Sequence, residues 1–209
     1  MIRFFNWFTK ITAWPVQKLC FKTKVYYESR AEQSRRIKGP AIIVSNHTSI
    51  FDYAVFLFVF YGRTLRYQMA EVLFKKAVLG TYLKCMGGIY VDRDSNDYGF
   101  LDKSQEILER GGVVGIFPEG RIPEGFESKP LEFKPGAVRL ALSANVPIIP
   151  VYTNGSYFSK KRARVMIGTP VFASELYDEK EDYGTNLKRI TGKIREKVVS
   201  LGDMLEREV

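Results

Sequence analysis

Three short runs, Ala41-Ile42-Ile43-Val44-Ser45, Val113-Val114-Gly115-Ile116-Phe117 and Pro147-Ile148-Ile149-Pro150-Val151-Tyr152, are apolar almost without a break. A strand with one wet face alternates apolar and polar residues, so runs like these need cover on both faces. Helical patterns lie between them, and that alternation predicts an α/β sandwich rather than separate helical and sheet modules. The predicted strands are Lys24 to Glu28, Ala41 to Ser45, Leu65 to Met69, Gly88 to Asp92, Val113 to Phe117, Ile148 to Thr153 and Ala163 to Ile167. The predicted helices run from about Ile50 to Tyr61, Lys76 to Cys85, Asp97 to Arg110, Pro135 to Ala144 and Glu181 to Glu206. A site is expected at the carboxyl ends of the strands, where ligands bind in open α/β sheets.

The chain has 209 residues, enough for one hydrophobic core. Residues 1–23 read as a separate amphipathic segment ahead of a domain over 24–209. On a helical wheel Phe4, Phe5, Trp7, Phe8, Ile11 and Trp14 share one half and Arg3, Asn6, Thr9 and Lys10 the other, with Pro15 expected to end the helix. Two readings follow: a helix packed on its own core, or one lying in the headgroup layer beside anionic lipid. The most apolar run, residues 53–60, is far shorter than the roughly 20 residues a spanning helix needs. The expected relation to the membrane is therefore peripheral or monotopic, on the cytoplasmic face.

Lysine and arginine outnumber aspartate and glutamate 32 to 23, a net charge of +9 that points to an anionic partner. Nucleic acid is not that partner, since no helix-turn-helix, zinc or RNA-recognition signature is present. The two cysteines, Cys20 and Cys85, lack the spacing of a zinc site or a disulfide framework. His47 is the single histidine, so any imidazole chemistry passes through it.

The strand at Ala41 to Ser45 runs straight into Asn46-His47-Thr48-Ser49-Ile50-Phe51-Asp52. Five residues apart on one regular helix would diverge by about 140°. With His47 ahead of the helix and Asp52 in its first turn, the two can face each other. A carboxylate accepting one ring N–H fixes the tautomer and leaves the other nitrogen free as a base. The competing reading makes Ser49 a helix N-cap and Asp52 the closing member of a capping box. Phe117-Pro118-Glu119-Gly120-Arg121 ends another apolar strand, and Gly87-Gly88-Ile89-Tyr90-Val91-Asp92-Arg93 ends a third. Each arginine can bind a phosphate or simply decorate a turn. Lys134 and Arg139 are further basic candidates, with solvated surface charge as the plainer reading.

Taken in order, NHTSIFD at 46–52, GGIYVDR at 87–93, FPEG at 117–120 and VPIIPV at 146–151 resemble the four blocks of the glycerolipid acyltransferases, whose best-known members are the 1-acylglycerol-3-phosphate acyltransferases. The resemblance spans residues 24–170. It implies a mixed central β-sheet flanked by helices, and transfer of a fatty acyl group from a thioester to the sn-2 hydroxyl of 1-acylglycerol 3-phosphate, giving phosphatidic acid. His47 is then the general base and Asp52 orients it. Arg93, Glu119, Gly120 and Arg121 fall where the family holds its acceptor. The family reaction implies no metal or other cofactor, with acyl-coenzyme A or acyl carrier protein as donor, a lysophospholipid as acceptor and anionic membrane as surface. Backbone amides near Gly120 or after His47 are candidates for stabilising the oxyanion. The third block departs from the commoner Phe-Pro-Glu-Gly-Thr-Arg, because Arg121 follows the glycine directly. In extended chain that shift turns the side chain to the other face. Other lysophospholipids, an ornithine lipid or a lipid A precursor are therefore alternative acceptors. A peripheral membrane protein without turnover is the alternative outside chemistry.

Overall fold

The computed structural model describes residues 1–92, 98–158 and 162–208. It contains one seven-stranded sheet in the order β1-β7-β6-β2-β5-β3-β4. The strands are β1 (Lys24–Tyr27), β2 (Ala41–Ser45), β3 (Leu65–Ala70), β4 (Ile89–Val91), β5 (Val113–Ile116), β6 (Ile148–Thr153) and β7 (Arg164–Ile167). Five of them, β6, β2, β5, β3 and β4, run parallel. β7 is antiparallel to β6, and β1 pairs parallel with β7, so the sheet is mixed.

Successive residues of β2 point to opposite sides, and both sides are dry. Ile43 enters a core with Val55, Phe56, Leu83 and Met86. Ile42 and Val44 enter another with Ile107, Leu140, Ile194 and Val198. The first face is covered by α3 (Asp52–Val59) and α5 (Ala77–Met86), preceded by the single turn α4 (Glu71–Phe74). The second is covered by α6 (Gly99–Glu109), α7 (Gly136–Ala144) and α8 (Tyr183–Arg207). Gly115 on β5 is required by packing. A Cβ there would stand 2.2 Å from the ring of Tyr67, its neighbour in register on β3.

Pro15 does not end the N-terminal segment. α1 (Ile2–Thr12) stops three residues earlier, and a further turn, α2 (Trp14–Val16), carries Pro15 within its first positions. A helix start has no use for the missing N–H. A π-helical turn over Gln17–Phe21 follows and ends at Lys22, whose φ of 49° is left-handed. The helix expected over Ile50 to Tyr61 is shorter because Asp52 gathers the preceding residues into a turn. The expected start of α6 at Asp97 lies outside the described residues. Among the described residues no helix is long and apolar enough to cross a membrane.

Candidate active site

Three parallel neighbours, β2, β5 and β6, end side by side, and the site is assembled on their carboxyl ends. Asn46, one residue past β2, clamps β6: its Nδ2 donates to the Thr153 carbonyl at 2.9 Å and its Oδ1 accepts the Thr153 N–H at 2.9 Å. The clamp positions the backbone of the next residue, His47.

Glu119, carried on the turn after β5, is buried. Its Oε1 accepts the His47 N–H at 2.6 Å and its Oε2 accepts the Leu131 N–H at 2.7 Å. Burial raises the pKa of this carboxyl, and those two amides act in the opposite direction. Both oxygens are thus engaged by backbone, and Glu119 ties the histidine turn to the 121–134 loop. Gly120 beside it has a φ of +77°, and a Cβ there would meet Lys134 Nζ at 3.1 Å. The glycine therefore lets the lysine lie across the turn, and among the described residues that ammonium pairs with no carboxylate.

His47 Nδ1 lies 2.8 Å from Asp52 Oδ2. Oδ2 also accepts the N–H groups of Thr48 at 2.7 Å and Ser49 at 2.9 Å, while Oδ1 accepts from Thr48 Oγ1 at 2.8 Å and Tyr157 Oη at 2.7 Å. Every other group facing the carboxylate is a donor, so the ring nitrogen that faces it donates as well, which puts the ring N–H on Nδ1 and turns the Nε2 lone pair away from Asp52. The capping reading holds only in part: α3 begins at Asp52 with Phe51, not Ser49, as its N-cap and no side-chain cap bond. Asp52 closes the preceding turn on the Ser49 N–H, while Ser49 Oγ accepts from Phe51 N at 3.2 Å. The same oxygen that closes the turn also receives His47.

Two rings finish the arrangement. Phe117 stacks on the imidazole, with centroids 4.1 Å apart and planes 11° from parallel. Behind Phe117 stands fully buried Tyr67, centroids 5.0 Å apart. Tyr157, four residues past β6, gives its hydroxyl proton to Asp52 and stands 2.8 Å from Thr153 Oγ1. Burial, then the charge of Asp52, pushes the Tyr157 pKa far above that of a free phenol, so it remains a donor. Gly155 passes over Thr48 with a φ of +65°, where a Cβ would come within 2.7 Å of the threonine Oγ1.

Sequence reasoning missed Phe117 as a ring partner and Tyr157 altogether. Phe117 stands inside a block that the sequence had marked. Tyr157 carries no local signal, because its partner is 105 residues away. Arg121 is engaged by an acidic partner: its guanidinium pairs with both oxygens of Glu127, and that pairing holds the Glu127 carboxyl down to about 2. Arg93 lies outside the described residues. Arg139 is on the exposed side of α7, in a groove with Tyr98, Asp102 and Tyr183 on the far side of the sheet. Of the candidate oxyanion amides, those of Thr48 and Ser49 are given to Asp52 and that of Gly120 to the Phe117 carbonyl at 3.0 Å.

A buried carboxylate, a histidine oriented by it and a lysine across the Gly120 turn are gathered past the carboxyl ends of β2 and β5. The Acyltransferase family model matches residues 22–154, the stretch that holds the site except Gly155 and Tyr157. The chain belongs to the acyltransferase family. Its relatives include a probable 1-acyl-sn-glycerol-3-phosphate acyltransferase of Mycoplasma genitalium, 32% identical over 57% of this chain and 46% of the relative. The human 1-acyl-sn-glycerol-3-phosphate acyltransferase beta is 28% identical over 76% of this chain and 58% of its own length. The chain thus spans about half the length of the curated relatives it matches. A crystal structure of the 1-acyl-sn-glycerophosphate (LPA) acyltransferase, PlsC, from Thermotoga maritima superposes with a TM-score of 0.67 at 20% identity, over 97% of this chain and 79% of that one. The family's fold, a mixed sheet between helices, is the fold of this chain.

Proposed function

We propose that this acyltransferase moves a fatty acyl group from an acyl thioester to the free sn-2 hydroxyl of 1-acylglycerol 3-phosphate, forming phosphatidic acid for phospholipid biosynthesis. The observation that carries the reading is the 2.8 Å contact from His47 Nδ1 to the buried Asp52 carboxylate, which engages Nδ1 and leaves Nε2 for the acceptor. His47 Nε2 takes the hydroxyl proton as the oxygen attacks the thioester carbonyl. Asp52 stabilises the imidazolium as it forms, and the departing thiolate takes the proton back. No acyl-enzyme is needed, because a thioester is already activated and the site brings acceptor and base together. Tyr157 acts through Asp52 as a positioning residue, and Phe117 keeps the imidazole plane from turning.

The acceptor is an anion. Among the described residues Lys134, across Gly120, is the cation we assign to its phosphate, with Arg93, Glu119 and Gly120 the positions the family resemblance assigns to acceptor binding. Glu119 serves there through the backbone it holds. Arg121 is bound to Glu127, which favours a second reading in which the acceptor is another lysophospholipid. The donor is acyl-coenzyme A or acyl carrier protein. Residues 1–23 form the membrane-associating segment ahead of the catalytic domain over 24–209. It docks peripherally, from the cytoplasmic side, through Phe4, Trp7, Phe8, Ile11 and Trp14, all exposed.

The test is thiol release from a long-chain acyl-coenzyme A, and from the matching acyl carrier protein, with and without lysophosphatidic acid. Release that depends on lysophosphatidic acid is expected. Release that follows a lysophosphoethanolamine instead would select the second reading, and silence with all acceptors and both donors would overturn acyl transfer.

A further inference from the structure

An open groove of about 480 Å³ lies between Tyr27, Arg30, Ser34, Arg35, Arg36 and Tyr61. β1 runs opposite to β2, so Tyr27 at its end, the 28–40 loop and the end of α3 all gather where β2 begins. His47 lies beyond the other end of β2, a strand of five residues or about 16 Å at 3.3 Å per residue. The groove is therefore separate from the catalytic centre.

Two of its three guanidinium groups are oriented by their surroundings. Arg35 donates through Nε to the Val59 carbonyl at 2.8 Å and through Nη2 to the Phe58 carbonyl at 2.9 Å, which leaves Nη1 open. Its head also lies 5.2 Å from the Tyr61 ring, and Arg30 lies 5.5 Å from the ring of Tyr27. Aromatic faces orient guanidinium groups without neutralising them. Among the described residues no carboxylate lines the groove, and Glu28, next in the chain to Tyr27, is turned to Lys197 and Thr169. Three cations beside open space, with no anion in place, suit a phosphate group.

Position decides what carries that phosphate. Lys10, in the last turn of α1, donates to the carbonyls of Tyr61 at 3.0 Å and Arg63 at 2.6 Å. The helix with the exposed aromatic face is therefore pinned to the wall of the groove. We propose that this groove is a second, non-catalytic site that takes the phosphate of an anionic phospholipid headgroup once α1 lies on the bilayer. This rests on the membrane-docking reading of α1, and it makes residence on the membrane depend on the charge of the lipids the enzyme meets.

The test is vesicle co-sedimentation with phosphatidylcholine alone and with phosphatidylcholine containing phosphatidylglycerol. Arg30→Ala with Arg36→Ala is the informative variant, since neither side chain makes a hydrogen bond in the described structure and Arg35 is left to cap α3. Lys188→Ala with Lys193→Ala removes the same charge from the exposed side of α8, across the sheet. About 1 kcal/mol per basic residue near an anionic surface predicts that the arginine variant loses about tenfold or more of its binding to phosphatidylglycerol vesicles and none to phosphatidylcholine. The lysine variant should keep most of both. Equal losses in the two variants would mean diffuse charge and overturn the site. Binding of inorganic phosphate that needs Arg30 and Arg36, with vesicle binding unchanged in the arginine variant, would overturn the lipid as its source. Failure of the docking reading shows separately, as wild-type protein that sediments with neither vesicle.

Discussion

α1 and α8 stand towards opposite ends of the chain, both amphipathic, and they turn opposite faces to the rest of the protein. α8 lays Ile190, Ile194, Val198, Leu201 and Leu205 into the protein interior. α1 does the reverse: its fully buried side chain is Asn6, while Phe4, Trp7, Phe8 and Ile11 stand in solvent. The attachments explain the difference. Asn6 Nδ2 donates to the Met86 carbonyl at the end of α5 at 3.0 Å, and Lys10 Nζ serves Tyr61 and Arg63. These carbonyls at helix ends and in turns need donors, so the polar side of α1 supplies them and its aromatic side is left over. Burial lowers the Lys10 pKa to about 8, the result of drawing an ammonium into that contact. A hydrophobic stripe shows that a helix has a wet side and a dry side. It does not say whether protein or membrane provides the dryness.

The contrast can be broken most easily on stability. Ile194→Ala removes a buried side chain and should cost about 3 kcal/mol in denaturant unfolding. Trp7→Ala with Phe8→Ala should leave the midpoint within about 0.5 kcal/mol, as for surface positions. A large loss from the aromatic pair would place α1 in the core and end the comparison. Next in size is binding to vesicles. Removing those two rings forfeits on the order of 2 kcal/mol of apolar burial at the interface, roughly thirtyfold in vesicle partition, whereas Ile194→Val should leave partition unchanged. The smallest effect sharpens the account of the attachment. Asn6→Ala loses one buried hydrogen bond, about 1 kcal/mol. It should raise hydrogen exchange in α1 while α8 stays protected, and equal loosening of both helices would contradict a local anchor.

Much of the architecture is written in local pattern. β2 and β6 fall on the residues their apolar runs predict, Ala41–Ser45 and Ile148–Thr153, because strands dry on both faces have few alternatives. The facing of His47 and Asp52 was readable for a similar reason: both lie in one turn, and the chain between them is too short to hold them far apart. Their surroundings were not readable. Tyr157 reaches Asp52 only because β6 lies beside β2, and Glu119 reaches His47 N only because β5 lies on the other side. Pairing of that kind is a property of strand order, which no run of residues records. Arg121 differs, since its partner Glu127 is local, six residues further along the same loop. The helix end expected at Pro15 failed on a local point, since proline is tolerated in a first helical turn.

The central claim is that His47, oriented by Asp52, is the base for acyl transfer. The direct measurement is acceptor-dependent thiol release by purified His47→Ala, with circular dichroism and the denaturation midpoint recorded on the same sample. The account predicts a protein folded like the wild type whose release falls by about two to four orders of magnitude, the share a positioned base contributes. A folded His47→Ala that releases thiol at the wild-type rate would contradict it.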